Sequence, residues 1–322
     1  MRAIRIHQTG GPEVMKLEEV DLAAPGEGQA QVRHHAIGVN YLDVYFRAGL
    51  YPSQTPFTPG SEGAGEVVAV GLGVTNFKVG DRVAYVTTPG SYAESRNVDV
   101  KHLVALPADI AYDQAAGMML KGLTAQYLLR QTYRVQPGDT ILVHAAAGGV
   151  GQILCQWGRH LGATVIGTVG SDAKVEIAKA CGAHHVINYS REDFAARVGE
   201  ITNGAKCAVV YDGVGKATFP ASLDCLRPFG VFASYGSASG PVDAFNLSIL
   251  GGKGSLFATR PTLFTFLADR ARLETMAKEL FEVVGAGIVR IGISERALLA
   301  DVARVHRELE GRQTTASIVL IP

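Results

Sequence analysis

A glycine-rich turn between an apolar strand and an amphipathic helix constrains the fold of this chain more than any other feature. The turn Ala146-Ala147-Gly148-Gly149-Val150-Gly151 follows the apolar run Thr140 to Ala145. The apolar positions after it recur at helical spacing: Val150, Ile153, Leu154, Trp157 and Leu161. Glycines in such a turn let the backbone approach a pyrophosphate, and the N–H groups at the helix start stabilise the anion. The turn therefore predicts a dinucleotide site at Gly148, Gly149, Val150 and Gly151.

The pattern around the turn decides between this site and a plain tight connection, which would need the same glycines. Ala146 stands where the GxGxxG pattern has its first glycine, so the turn alone is a weak signal. Strand and helix patterns nevertheless alternate, with strands expected at Thr140 to Ala145, Thr164 to Thr168, His185 to Asn188, Cys207 to Tyr211 and Val231 to Tyr235. This alternation predicts an α/β fold with a Rossmann-type, doubly wound parallel sheet.

The first 110 or so residues have a different pattern. Short apolar stretches bounded by glycine, such as Ala30 to Val39 and Gly63 to Val70, are typical of a β-rich domain. The end of the chain resembles this part more than the middle. We therefore expect residues 125–285 to form a nucleotide-binding domain that is inserted in a β-rich domain, which is formed by residues 1–124 and completed by residues 286–322.

Charge and cysteine content limit the classes of partner. The 322 residues include 30 Lys and Arg against 30 Asp and Glu, so no excess positive charge attracts nucleic acid or an anionic membrane. Charges interrupt the first segment, Met1 to His7, and no stretch reaches about 18 uninterrupted apolar residues, which favours a cytoplasmic protein. The four cysteines lie far apart without a CxxC pair, which favours buried thiols over disulfides or a zinc ribbon.

The residues after the second strand bear on the choice of coenzyme. NAD-dependent enzymes tend to place an acidic residue there, against the ribose 2′-hydroxyl. Here Gly170 and Ser171 occupy the expected position and Lys174 lies one helical turn further, which leaves space and a cation for the 2′-phosphate of NADPH. Asp172 keeps the alternative open, because a shift of one residue in the strand end would make it the acidic ligand. Lys174 could also be an ordinary solvated helix residue.

The segments where an alcohol dehydrogenase holds a catalytic zinc lack suitable ligands. Such a site needs thiolate and imidazole groups, but the first domain contains no cysteine, and Asn40 and Ser61 stand in the relevant segments. The adjacent histidine pairs at 34–35 and 184–185 lie on expected strands, where neighbouring side chains point to opposite faces. We therefore expect no metal site.

Several motifs spread over the chain carry a family resemblance. The most specific runs from Gly138 through the glycine turn to Arg159. The others are Gly10 to Val14, Gly38 to Asp43, Lys121 to Ala125, Asn188-Tyr189, Tyr211 to Gly215 and Gly311 to Gln313. On these motifs the sequence closely resembles, nearly end to end, the zinc-independent quinone oxidoreductases of the zeta-crystallin type in the medium-chain dehydrogenase/reductase superfamily, and particularly their bacterial NADPH-dependent branch.

The resemblance implies a GroES-like domain formed by both termini, a Rossmann domain between them, and NADPH in the cleft. By matching position, the residues around the 2′-phosphate would be Gly170, Lys174, Tyr189 and Arg312. Those on the nicotinamide side would be Asn40, Tyr41, Tyr45, Thr124 and Tyr127. Along the later strands the cofactor would meet Gly213, Val214, Tyr235 and Ser237. Both a site role and an ordinary structural role remain open for Tyr51, Lys121 and Arg260.

The implied reaction, NADPH-dependent reduction of a quinone, needs positioning and stabilisation of a developing oxyanion more than a metal or a strong acid. The expected catalytic residues are Asn40, Tyr45, Tyr51 and Thr124. Two alternatives stay open, an NADPH-dependent alkene reductase that acts on enones or enals, and a non-enzymatic protein of the zeta-crystallin type that binds NADPH or RNA. The apolar segment Gly254 to Thr259 at an open sheet edge predicts a homodimer.

Overall fold

The computed structural model describes residues 1–243, 245–311 and 313–322. Its strands are β1 (Arg2–Ile6), β2 (Met15–Glu19), β3 (Gln29–Val39), β4 (Glu62–Val70), β5 (Arg82–Val86), β6 (Ser95–Asp99), β7 (Leu103–Ala105), β8 (Thr140–Val143), β9 (Thr164–Val169), β10 (His185–Asn188), β11 (Cys207–Asp212), β12 (Leu226–Ser234), β13 (Phe257–Thr259), β14 (Ile293–Leu298) and β15 (Ser317–Ile321). Its α-helices are α1 (Tyr41–Arg47), α2 (Tyr112–Tyr127), α3 (Gly149–His160), α4 (Val175–Ala180), α5 (Phe194–Ile201), α6 (Ala221–Asp224), α7 (Ser248–Gly252), α8 (Leu263–Leu267), α9 (Arg270–Gly285) and α10 (Val302–Glu310). Within these described ranges, no helix is long and apolar enough to cross a membrane.

The chain divides into two compact units. The first unit comprises Met1–Leu123, Leu267–Gly285 and Ile291–Pro322, and the second comprises Thr124–Phe266 and Ala286–Arg290. The first unit is built around a mixed sheet and the second around a parallel sheet, so the predicted fold class, a doubly wound sheet inserted in a β-rich domain, is confirmed.

The parallel sheet of the second unit has the strand order β10-β9-β8-β11-β12-β13. This is the 3-2-1-4-5-6 order of dinucleotide-binding sheets. Helices cover both faces of such a sheet, and its strands therefore consist largely of apolar residues. One buried cluster collects a side chain from each of five neighbouring strands: Ile187, Ile166, Leu142, Val210 and Phe232. This packing holds the carboxyl ends of β8, β9 and β11 side by side, where the glycine turn lies.

The mixed sheet of the first unit has the order β14-β15-β3-β4-β5-β7, and β6 also pairs with β3. In β3, polar and apolar residues alternate through its first half, so alternate side chains are buried, as expected of a strand with one covered face. The strand β15 lies between β14 and β3, parallel to the former and antiparallel to the latter. Segments from both ends of the chain thus share one sheet.

The structure and the sequence assign residues 267–285 to different units. The boundaries predicted from the sequence include this segment in the nucleotide-binding domain. In the structure α9 packs in the first unit, where Leu280 lies against Gly122 and Arg270 donates hydrogen bonds to the carbonyl groups of Val100 and Lys101. The amphipathic pattern marks the buried face of this helix, but it does not say which sheet the face will meet.

Candidate active site

The predicted phosphate turn lies in the second unit at the carboxyl end of β8. Gly148 precedes α3 with an extended backbone (φ −81°, ψ 170°), and Gly149, Val150 and Gly151 form the first turn of this 12-residue helix. The first N–H groups of a helix have no partners within it, so they are available to an anion. A Cβ at Gly151 would lie 2.2 Å from the carbonyl oxygen of Ala145, which leaves room only for glycine. The turn therefore fits a pyrophosphate.

A buried carboxylate fixes the loop that follows β11, at the same carboxyl end of the parallel sheet. Asp212 Oδ1 accepts hydrogen bonds from the backbone N–H groups of Val214 at 2.7 Å and Gly215 at 2.9 Å. Its Oδ2 accepts from the hydroxyl groups of Thr218 at 2.6 Å and Ser222 at 3.3 Å. The Asp212 side chain thus fixes the loop that carries the predicted coenzyme residues Gly213 and Val214.

His144 extends this polar network beneath the glycine turn. Its Nδ1 lies 2.8 Å from Thr168 Oγ1 and its Nε2 lies 2.9 Å from Ser222 Oγ. Burial lowers the pKa of His144, because desolvation disfavours the imidazolium. The imidazole is therefore a neutral link between the ends of β8 and β9, and it was not among the residues predicted from the sequence.

The end of β9 has the uncharged character that favours a 2′-phosphate. The strand ends at Val169, and Gly170 and Ser171 follow it. A Cβ at Gly170 would lie 2.5 Å from the hydroxyl oxygen of Tyr189, so the phenol ring lies directly over this glycine. Lys174 closes the short 3-10 turn that comes next. The structure thus brings Gly170, Lys174 and Tyr189 of the predicted phosphate pocket to the carboxyl end of the parallel sheet. Arg312 lies outside the described residues.

Asp172, the alternative acidic ligand, has both oxygens engaged within the protein. Asn188 Nδ2 donates to Oδ1 over 2.7 Å, and Arg191 forms an ion pair with Oδ2. Asn188 is itself buried and pairs in register with Val169 on the neighbouring strand. The carboxylate is therefore paired with a cation from the loop after β10.

Arg260 braces the backbone after β12. Its guanidinium donates to the carbonyl oxygens of Ser234 at 2.8 Å and Gly236 at 3.1 Å, and to Ser237 Oγ at 3.3 Å. Tyr235 lies in the same segment and covers Gly213, where a Cβ would come within 2.9 Å of the tyrosine ring. Arg260 thus holds the loop that carries two predicted coenzyme residues.

Thr124 and Tyr127 lie at the start of the second unit on the last turns of α2. The Tyr127 ring stacks on Phe266 with a centroid distance of 4.5 Å. Burial raises the pKa of the Tyr127 phenol, which also has a hydrogen bond with Thr124. Tyr127 is only 2% exposed, so its ring is mainly a core element beside Thr124.

In the first unit, Asn40 belongs to a buried polar cluster with Glu62 and Lys121. Asn40 Nδ2 donates to Glu62 Oε1 over 2.6 Å, and Lys121 Nζ lies 3.3 Å from the same oxygen and 3.1 Å from the carbonyl oxygen of Val39. The Leu120 N–H donates to Glu62 Oε2 over 2.6 Å. These donors compensate a fully buried carboxylate. Lys121 is therefore an internal cation, and one N–H of the Asn40 amide is committed to Glu62.

Three of the tyrosines predicted as site residues, Tyr41, Tyr45 and Tyr51, form a half-buried aromatic cluster on and beside α1. Tyr45 lies centrally, with ring centroids 5.4 Å from Tyr41 and 5.3 Å from Tyr51. Phe46 packs edge-on to Tyr51 at 5.6 Å. The structure thus brings Tyr51 next to Tyr45, where two phenol groups can present hydroxyl donors beside an apolar surface.

The helix that carries these tyrosines is anchored by Asp43. Its carboxylate accepts from the Asn40 N–H at 2.9 Å, from Ser61 Oγ at 2.8 Å and from the Tyr92 hydroxyl at 2.9 Å. Burial raises the pKa of Asp43 to about 6, although the three donors favour the ionised form. Asp43 thereby fixes the start of α1 and with it the position of Asn40.

A directional hydrogen-bond chain continues from Asp43 to the C-terminal helix. Tyr92 also contacts His306 Nε2 at 3.1 Å, and Arg47 Nη1 lies 3.3 Å from His306 Nδ1. The guanidinium can only donate, so Nδ1 accepts and the imidazole proton is assigned to Nε2. Burial and the charge of Arg47 lower the pKa of His306 to about 3. Arg47 is also paired with Glu310 through two hydrogen bonds of 2.8 and 2.7 Å.

Glu62, Asp43 and His306 were not among the site residues predicted from the sequence. For Glu62 a signal was present, because this carboxylate opens the apolar strand β4. Across the residues that the structure describes, no three His, Cys, Asp or Glu side chains are grouped so that they could hold a metal ion. The four cysteines are free thiols.

The chain matches two family models over separate segments, and several proteins are similar to it over nearly its full length. Residues 26–137 match the alcohol dehydrogenase GroES-like domain and residues 149–282 match the zinc-binding dehydrogenase family. A quinone oxidoreductase of Pseudomonas aeruginosa is 52% identical over 100% of this chain and 99% of its own length. A 2-haloacrylate reductase of a Burkholderia species is 48% identical over 98% of both chains. The crystal structure of the Escherichia coli quinone oxidoreductase complexed with NADPH has a TM-score of 0.98 at 45% identity and covers 100% of both chains.

Proposed function

Because this chain belongs to the quinone oxidoreductase family of the medium-chain dehydrogenase/reductase superfamily, we propose that it is an NADPH-dependent enzyme that reduces quinones. The observation that carries the proposal is the carboxyl end of the parallel sheet in the second unit, where a glycine turn opens α3 and the neighbouring strand β9 is followed by Gly170 and Ser171 rather than by an acidic residue. The relatives named quinone oxidoreductases supply the substrate class.

The residues of the second unit fit the coenzyme in separate parts. The turn 148–151 would hold the pyrophosphate, since its N–H groups and the helix dipole attract an anion. Gly170, Ser171, Lys174 and Tyr189 would hold the 2′-phosphate, together with Arg312. The loop at 213–214, which Asp212 fixes, would contact the dinucleotide, and so would Tyr235 and Ser237. Arg260 holds the segment that carries these last two residues.

The chemistry of the chain itself is the stabilisation of negative charge. When bound, NADPH supplies the hydride. A quinone is already electrophilic, so neutral donors suffice for the oxygen on which charge develops. We assign this role to the Tyr45 and Tyr51 hydroxyls, with the Asn40 amide and the Thr124 hydroxyl as further donors. Glu62 orients the Asn40 amide, and the cluster Tyr41, Tyr45 and Tyr51 forms an apolar surface for a planar substrate.

The test is a paired rate measurement. NADPH oxidation is followed with a simple benzoquinone and with a short enone, before and after exhaustive chelation. We expect quinone turnover that chelation leaves unchanged, because the proposed donors need no metal. Activity that disappears with the chelator and returns with zinc would overturn the metal-free mechanism.

A second candidate function is the reduction of activated alkenes, which the similarity to a 2-haloacrylate reductase favours. Both reactions would use the same coenzyme site, since the acceptor alone differs. Brisk enone turnover with a silent quinone would replace the quinone assignment by this one.

We further propose that the enzyme is a homodimer. The strand β13 ends the parallel sheet, its three residues are exposed, and Phe257 is 60% exposed. Two copies of this edge could pair around a twofold axis and cover the apolar side chains. Light scattering should give the dimer mass for the wild type and a smaller mass for Phe257→Asp. A monomer mass for the wild type over a wide concentration range would contradict the proposal.

The four free thiols support a reducing compartment, and we propose the cytoplasm as its location.

A further inference from the structure

A carboxylate close to the proposed 2′-phosphate site poses an electrostatic problem. Asp172 comes two residues after Gly170, in the turn that continues to Lys174. An unpaired carboxylate at this position would repel a phosphate, and it would favour a coenzyme that has only the 2′-hydroxyl. NADPH selectivity therefore requires that this negative charge be offset.

The structure holds Asp172 through a buried amide. Asn188, at the end of β10, donates from Nδ2 to Asp172 Oδ1 over 2.7 Å. The Asn188 Oδ1 atom accepts hydrogen bonds from Ser190, over 3.1 Å from its N–H and 2.7 Å from its hydroxyl. These acceptor contacts fix the amide orientation, so that only the NH₂ group can face Asp172. Asn188 thus aims the carboxylate at the loop after β10.

Arg191 completes the arrangement from the same loop. Its N–H donates to the Asn188 carbonyl over 3.0 Å, and its guanidinium forms an ion pair with Asp172 Oδ2. The Arg191 side chain is 69% exposed and that of Asp172 55% exposed. An exposed ion pair of this kind contributes little to folding stability. Its charge still acts on a ligand that binds nearby.

We propose that Arg191 is a coenzyme-specificity residue that acts through Asp172, and that Asn188 positions the pair. Arg191 offsets the carboxylate charge beside the 2′-phosphate, so that Asp172 does not repel a phosphate bound at Gly170, Lys174 and Tyr189. This inference rests on the proposed NADPH dependence. It adds to that proposal the residue that neutralises the acidic side chain.

The test is a thermodynamic cycle on coenzyme affinity. Dissociation constants for NADPH and NADH are measured by fluorescence titration at low salt for the wild type, Arg191→Ala, Asp172→Asn and the double variant. We expect Arg191→Ala to weaken NADPH binding by about fivefold, the effect of one uncompensated charge at high dielectric, and to change NADH binding less than twofold. Removal of the carboxylate as well should restore NADPH affinity, because no charge is then left to offset.

Two further variants separate electrostatics from loop structure. Arg191→Lys keeps the charge and should retain most of the NADPH preference. Arg197→Ala removes a partly exposed arginine that pairs with Glu192 and Glu200, without a contact to Asp172 among the described residues. It should leave both affinities unchanged.

The outcomes distinguish this inference from the proposed function. A wild type that binds NADH as tightly as NADPH would refute the proposed coenzyme. A wild type that prefers NADPH, with Arg191→Ala no different from Arg197→Ala, would refute the role of Arg191 alone. A double variant as weak as Arg191→Ala would show that the guanidinium does not act through Asp172, and it would also overturn the inference.

Discussion

The two units bury carboxylates in different ways. In the first unit Glu62 is paired with Lys121, and Asp43 is linked through Tyr92 and His306 to Arg47, so cations and titratable groups surround the buried acids. In the second unit Asp212 is satisfied by two backbone N–H groups and two hydroxyl groups. The first solution depends on charge and pH, whereas the second depends on the close geometry of the backbone. We therefore expect the units to respond to different kinds of substitution.

The largest expected effect at neutral pH is the loss of the buried cation in the first unit. Arg47→Met would leave Glu310 without its partner, and His306 Nδ1 and the Gly10 carbonyl without a donor. Arg47 is buried and Glu310 is one-third exposed, so the loss should cost about 3 kcal/mol, the lower end of the range for buried pairs. Urea unfolding of the wild type and the variant measures this cost.

The matched control for that substitution is Arg33→Met. Arg33 pairs with Glu66 at 3.5 Å, but its side chain is 55% exposed. We expect a cost below about 1 kcal/mol. Equal costs for both variants would mean that burial does not set the strength of these pairs.

In the second unit, a methyl group added at Gly151 should lower the free energy of unfolding by a comparable amount without any change in charge. A Cβ at Gly151 would lie 2.2 Å from the backbone oxygen of Ala145. Gly151→Ala should therefore destabilise the unit by about 2 kcal/mol and weaken coenzyme binding, because the turn has to open. Gly199→Ala is the control, since a Cβ on that helix meets nothing within 4 Å. Thermal unfolding and NADPH titration of both variants measure the difference.

Buried histidines in both units should make stability depend on pH, since burial lowers the pKa of His144 in the second unit as well as those of His306 and His34 in the first. His306 has a folded pKa of about 3 against 6.5 for a free histidine, so its stabilising contribution is complete above pH 6.5 and is lost as the pH falls toward 3. His34, with a pKa of about 4, acts in the same sense. Asp43 acts oppositely, because its folded pKa of about 6 exceeds the usual 3.8 and its contribution is lost as the pH rises toward 6.

His306→Gln isolates one of these contributions. A glutamine can accept from Arg47 and donate to Tyr92, but it does not titrate. The unfolding free energy of the variant should fall less steeply on acidification, by about 1.4 kcal/mol per pH unit between pH 6.5 and 4. Denaturation curves at several pH values test this, and parallel pH profiles for variant and wild type would contradict it.

The smallest expected effect concerns turnover. Tyr45→Phe removes a proposed donor to the quinone oxygen, so kcat should fall about tenfold, or about 1.4 kcal/mol, with little change in NADPH affinity. Neighbouring donors limit the loss. Tyr112→Phe, which alters a ring stacked on His35, should leave kcat unchanged. If both variants lose the same activity, the hydroxyl of Tyr45 has no special role.

The contrast also explains how much could be predicted from the sequence. The parallel sheet and its turn are local patterns, because apolar runs and glycines at fixed spacing determine each strand, turn and helix. The polar chain of the first unit is not local. Arg47 and Glu310 are 263 residues apart, and no periodicity connects them. The same reason explains why the sequence groups α9 with a different unit than the structure does, since the amphipathic pattern reports an apolar face and not the partner of that face.

Individual site residues were predictable to different degrees. The uncharged Gly170 and Ser171 could be recognised from the sequence, but the partners of Asp172 could not, because they depend on the register between β9 and β10. Glu62 was not predicted, because the expectation for the segment around Ser61 concerned metal ligands alone. A carboxylate at the start of an apolar strand implies buried donors, which here are Asn40 and Lys121.

The position of β15 between β14 and β3 has a consequence for synthesis on the ribosome. The parallel sheet has all its strands once Thr259 has been made, whereas β3 lacks one neighbour until Ile321 emerges. At about 5–20 residues per second, several seconds separate these events. The second unit can therefore complete its sheet first, while β3 still lacks the backbone hydrogen bonds that β15 will supply. Nascent chains stalled between these two points should be the ones that chaperones bind most.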